Sequence, residues 1–168
     1  MPSQKELRSA TRLALVQALY QIEISGHSSG QVVAQFLSYQ KGAVGVDEQT
    51  REIDHQLFSQ MLNKVQNDIE TLDELVANVL TKDWSMDRLG ATMRALMRAS
   101  CYELTNRMDV PARVVIKEYV DMARSFHDVE ETGFVNAALD RLARSLRRVE
   151  MASVKSPVEE SSDAAKSS

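Results

Sequence analysis

A single cysteine, Cys101, stands in a chain of 168 residues. It can form no internal disulfide, and a reducing, cytoplasmic compartment fits best. Six glycines and three prolines leave little turn chemistry. No stretch approaches the roughly 18 apolar residues of a membrane span. The N-terminus MPSQKELRSATR lacks the apolar core of a signal peptide. Positive charge is not in excess either. The net charge is -4, so no global basic field draws in nucleic acid, and any such contact must come from a local patch.

Catalytic signatures are missing as well. His27, His55 and His127 lie far apart, and none sits in HExxH or another ligand spacing. One cysteine makes no zinc site. The chain has no GxGxxG, no GxxxxGK[ST] and no GxSxG. Cys101 falls inside an apolar helical pattern, which reads as a buried, inert thiol. Carboxylates are abundant but look like solvated helix faces. The expectation is a protein that is not an enzyme and has no metal site and no cofactor.

What is present is helix. Hydrophobic residues make up 43% and charged residues 26%, and Ala, Leu, Met, Arg and Glu all favour helix. The length suggests one domain with a sizeable core. A first helix is predicted from Gln4 to Ser25, broken by SGHSSG, and a short second one from Gln31 to Gln40. KGAVGVD reads as a loop. From Glu48 to Thr81 apolar residues keep the helical rhythm, with a break expected near Gln66 to Asp68. Lys82 to Gly90 reads as a loop leading into a helix that ends near Asn106. Asp109-Val110-Pro111 turns the chain into the next helix. Thr132 is the expected cap of the last. No segment alternates as a strand does, so the fold class is all-α. The helical domain is expected over residues 1–150. The tail, residues 151–168, includes the polar stretch SVKSPVEESSDAAKSS and is expected to be disordered.

With chemistry absent, a binding surface remains. Charge is polarised along the chain. From Gly45 to Leu75 eight acids face only Arg51 and Lys64, whereas the first twenty residues hold Lys5, Arg8 and Arg12 against Glu6. In RSATRLALVQALYQIE, Arg8 and Arg12 are i,i+4 neighbours on one helix face. They are either a solvated helix end or a grip on phosphate. Arg94 and Arg98 repeat the spacing, and surface charge or an internal ion pair explains them equally well. In GFVNAALD, Phe134 and Asn136 could stack on a base and hydrogen-bond its edge, or pack in the core and cap locally.

VQALYQIE (Val16 to Glu23), RASCYELTNRMDVPARVVIKEYVDMARSF (Arg98 to Phe126) and GFVNAALDRLA (Gly133 to Ala143) together resemble the NusB family of transcription antitermination factors. The resemblance implies an all-helical domain of about seven helices in two small subdomains. It implies binding to the boxA element of ribosomal RNA leader transcripts. The partner implied is NusE, a ribosomal small-subunit protein, and the pair joins an antitermination complex on RNA polymerase. Arg8 and Arg12 match the family's arginine-rich first helix, though Ser9 and Ala10 stand where relatives are often basic. Gln17 and Tyr20 match the first-helix motif. Phe134 and Asn136 match the FVN motif near which RNA contacts are made. Gly133 stands where Lys is frequent, Thr92-Met93 where many relatives have Val-Glu, and Lys117 where an Asn is expected. Some relatives self-associate through the RNA face, so a homodimer is a further implied form.

Two functions follow from different classes. One is an RNA-binding antitermination factor, with Arg8, Arg12, Phe134 and Asn136 as the RNA-binding residues. The alternative is an all-helical interaction scaffold or homodimer without intrinsic RNA binding.

Overall fold

The computed structural model describes residues 2–42, 52–81 and 83–155. Among them are α1 (Gln4–Ser25), α2 (Ser29–Gly42), α3 (His55–Asn67), α4 (Ile69–Ala77), α5 (Ala91–Asn106), α6 (Ala112–Phe126), α7 (Val129–Leu146) and the single turn α8 (Arg148–Met151). No strand occurs among the described residues, so the fold is all-α as expected. A 3-10 turn at Met86–Arg88 lies in the predicted loop before α5.

Local chemistry sets most of the helix ends. Ser3 and Glu6 cap each other's backbone amides at 3.1 Å and start α1. Gly26, at φ 72°, stops α1 in the left-handed region that glycine enters freely. Ser28 and Gln31 form a second reciprocal cap, at 2.9 and 3.2 Å, so α2 begins two residues before the predicted Gln31. The long amphipathic stretch divides at Asp68 (φ -105°, ψ 15°), where the break was expected. Thr132 does not cap α7. Asp128 does, accepting from the Glu131 amide at 2.8 Å. The Thr132 hydroxyl instead donates to the Asp128 carbonyl at 2.8 Å, a bond back along a helix already under way. Most of the predicted loop KGAVGVD lies outside the described residues.

α5 is the hub. It packs against α1, α3, α4, α6 and α7. The stretch from Met93 to Leu104, Arg94 and Arg98 apart, is buried, so α5 is covered on more faces than its apolar stripe foretold. Leu15 and Leu19 of α1, Phe58 and Met61 of α3, and Leu139 and Leu142 of α7 join one contiguous core. Each fully buried leucine contributes on the order of 1.5–3 kcal/mol. Arg147, between α7 and α8, is buried. Its guanidinium donates to the carbonyls of Leu104 (3.0 Å), Glu103 (3.0 Å), Arg107 (2.9 Å) and Val110. The Leu104 carbonyl is an orphan of the α5 C-terminus, which needs a donor.

Residues 151–155, the first of the expected tail, belong to the helical body. Met151 is 1% exposed, Val154 packs on the core, and Arg144 donates to the carbonyls of both. Residues 156–168 lie outside the described residues.

Candidate nucleic-acid interface

Arg8 and Arg12 share a helix face, yet the structure separates their fates. Arg8 is exposed. Arg12 is 3% exposed, and its Nε and Nη2 hold the Glu103 carboxylate of α5 at 2.8 and 3.0 Å. The buried Tyr119 hydroxyl of α6 donates to the same carboxylate at 2.5 Å. Burial works against the Arg12 cation, but its bonds to Glu103 and the charge there outweigh it, and the pKa rises. Burial, followed by the charge of Glu103, holds the Tyr119 hydroxyl well above its ordinary value. This corrects the expectation of two arginines projecting together into solvent. An ionised guanidinium can be buried only when paired, and Glu103 commits Arg12 to the core.

The network continues outward. The Ser9 hydroxyl lies 3.0 Å from each Glu118 oxygen, tying α1 to α6. Arg12 Nη1 stands 4.0 Å from Glu118. Ser9 thus bridges two helices. Towards the C-terminal end of α1, Arg94 holds Glu23 at 2.7 Å, and Arg98 holds Asp73 at 2.7 and 2.9 Å. The hydrogen bonds to Asp73 outweigh burial and raise the Arg98 pKa. The second arginine pair therefore closes internal ion pairs and takes up part of the acidic middle.

Phe134 and Asn136 do not converge on one point. Two residues along a helix rotate by about 200°. Phe134 is half-buried and stacks on Trp84, ring centroids 4.7 Å apart and planes tilted by 32°. Asn136 faces α6 instead. It lines two adjoining clefts, one towards His127 and one towards Lys117 and Arg113. The expectation of an aromatic and an amide side by side gives way to one residue on each side of α7. The cations Arg113, Lys117 and Arg124 lie along this seam, with Lys117 and Arg124 paired to Asp121 at 2.9 and 3.0 Å. Lys117, at the position where an Asn was expected, is exposed.

Cys101 is fully buried, and burial pushes its thiol up to about 12, so it is the inert thiol predicted. Among the described residues no cluster of His, Cys, Asp or Glu could hold a metal ion. No helix there is long and apolar enough to cross a membrane. Sequence reasoning missed Glu103, whose buried carboxylate organises α1, α5 and α6. It also missed Trp84. The one signal for Trp84 was a lone tryptophan in a polar loop.

The NusB family model matches residues 9–144. A transcription antitermination protein NusB of Mesorhizobium japonicum is 41% identical over 140 residues, which span 83% of this chain and 90% of that protein. One from Rhodopseudomonas palustris is 44% identical over 140 residues, spanning 83% of both chains. Among solved structures, T. maritima NusB aligns with a TM-score of 0.70 at 24% identity, over 90% of this chain and 99% of that one. A crystal structure of antitermination factors NusB and NusE in complex with dsRNA aligns with a TM-score of 0.68 at 20% identity. It covers 85% of this chain and 99% of its NusB-like chain. At such identities the two structures speak for the fold alone.

Proposed function

This chain belongs to the NusB family, and on that premise we propose that it is a transcription antitermination factor that binds RNA rather than an enzyme. The observation that carries the reading is the family match across nearly the whole helical body. The finer reading is that it binds the boxA element of ribosomal RNA leader transcripts in the cytoplasm. It does so as a heterodimer with NusE and within an antitermination complex on RNA polymerase. The relative solved with NusE and dsRNA supports the choice of partners.

In mechanism the protein needs to position RNA, not to react with it. Exposed Arg8 neutralises phosphate, and Arg12 with Glu103 and Tyr119 fixes the helix that carries it. Asn136 offers its amide to a base edge, and Phe134 with Trp84 forms an aromatic pair on the far side of α7. Few cations along the seam are unpaired, so affinity alone is modest and NusE extends the platform.

The sole tryptophan makes the test direct, because Trp84 rests on Phe134. Titration of boxA-containing RNA into the NusE complex should change Trp84 emission. Filter binding should show tighter retention with NusE than without. Absence of RNA binding in both conditions would return the chain to the scaffold reading.

A further inference from the structure

We propose that the acidic C-terminal segment 156–168 of this chain docks along the groove between α6 and α7 and there competes with RNA. The competition rests on the RNA-binding reading above; the docking does not.

The described chain already runs that way. After α8 it folds back along α7. Arg144, one turn before Arg147, donates to the carbonyls of Met151 (3.3 Å) and Val154 (2.5 Å). Val154 packs on the core, and Lys155 lines the groove together with Asp140 and Asn136, which lie progressively nearer the start of α7. The segment 156–168 is therefore tethered at the edge of the groove, with its last described residue already in the lining.

The groove has a volume of about 340 Å³, near the lower end of the roughly 300–1,000 Å³ of ligand clefts. That suits a few side chains of an extended segment and not a folded element. Ile116 and Val120 give it an apolar floor. Its margin is basic, with Arg113, Lys117, Arg124 and Lys155 against two carboxylates, Asp121 and Asp140. Asp121 is shared between Lys117 and Arg124, and Asp140 is held by Arg144 at 2.9 Å. Arg113 is exposed and has no ion pair with another described residue. Positive charge is thus in excess here, on a chain whose net charge is -4.

SPVEESSDAAKSS is the complement of this margin. Glu159, Glu160 and Asp163 stand against Lys166 alone, and Val158 is the one branched aliphatic residue. Val158, three positions past Lys155, comes within reach of the apolar floor, and the carboxylates follow within reach of the cations. From Arg113 to Arg124 the helix rises by about 17 Å, whereas a segment of this length spans up to about 40 Å when extended. Each exposed ion pair contributes little. A tethered segment nevertheless acts at an effective concentration of order millimolar, so several weak pairs together hold it. RNA arriving at the same cations must displace carboxylates that repel its phosphates.

A spin label on Ser162→Cys tests the docking in the full chain, because the native Cys101 is buried and unreactive. At low salt the label should broaden the amide signals of Lys117, Asp121 and Arg124 and leave those of α3 sharp. The broadening should vanish when Glu159→Gln, Glu160→Gln and Asp163→Asn are combined with the label. It should also vanish in about 1 M salt, where the screening length falls to about 3 Å. No broadening at low salt, or broadening unchanged in the neutralised variant, overturns the docking. Equal broadening when label and isotope are on separate molecules assigns the groove to a second copy and also overturns it. In filter binding with NusE and boxA RNA, the neutralised variant should bind about three- to tenfold more tightly than wild type at low salt, and equally at high salt. Equal affinity at low salt overturns the competition. If neither chain binds RNA, the RNA-binding reading fails and the competition with it, while the spin label still decides the docking.

Discussion

Arg12 of α1 and Glu103 of α5 form a two-pronged ion pair, 2.8 and 3.0 Å, with the Glu103 side chain fully buried. The pair locks the first helix onto the central one. Removing either partner leaves the other charged and buried. Glu103→Ala and Arg12→Ala should each cost about 3–5 kcal/mol in urea denaturation, whereas the double change to Met and Leu should come back close to neutral. Single variants within about 0.5 kcal/mol of wild type would show that water reaches the pair.

Arg8 should behave in the opposite manner. It is exposed and has no ion pair with another described residue. Arg8→Ala should leave the melting temperature unchanged and flatten the salt dependence of RNA binding by about 0.7 units, the value of one phosphate contact on a single strand. Because Arg12 is structural, the two arginines must be changed separately. A double variant would confuse lost RNA contact with lost fold.

Cys101 makes an alkaline prediction. Its thiol rises from an ordinary 9.0 to about 12 in the folded state, through burial and then the charge of Asp73. Below pH 9 both states keep the proton and stability is unaffected. As pH climbs from there towards 12, the unfolded chain releases the proton and the folded one does not. Stability should therefore fall by up to about 1.4 kcal/mol per pH unit from this group. Tyr119, also raised, adds to the fall above pH 10. Cys101→Ala should remove the first contribution and leave RNA and NusE binding within a few-fold of wild type. The native thiol should react with an aromatic disulfide only on unfolding; rapid reaction in the native state would contradict its burial.

Arg147 is the further structural arginine. Arg147→Met keeps the apolar stem but withdraws the donors from the buried carbonyls of Leu104 and Val110, whereas the Glu103 carbonyl keeps the Arg107 amide. Each carbonyl left unmet costs about 1–3 kcal/mol, so the variant should unfold several kcal/mol earlier in denaturant than wild type. Arg148→Met, exposed next door, provides the control and should change little.

The sequence by itself determined where most helices lie. The Ser3-x-x-Glu6 box, Gly26 and the turn before Ala112 are local signals, acting through backbone atoms a few residues away. Apolar periodicity placed Leu15, Leu19, Leu139 and Leu142 in the core, and Cys101 with them. The motifs across Arg98 to Ala143 pointed to the family that the comparison then showed.

Tertiary structure alone decided what those helices do with their polar residues. Periodicity shows that Arg8 and Arg12 share a face. It does not show which neighbouring helix covers part of that face, and Glu103 arrives from 91 positions away. Adjacency in GFVNAALD suggested one binding point, but helix rotation sends Phe134 to Trp84 and Asn136 to the α6 seam. His127, set aside for lack of a ligand spacing, gains a buried ring nitrogen without a partner only once α6 and α7 pack. Desolvation gives a charge or a hydrogen-bonding atom its role, and desolvation depends on partners that sequence spacing does not record.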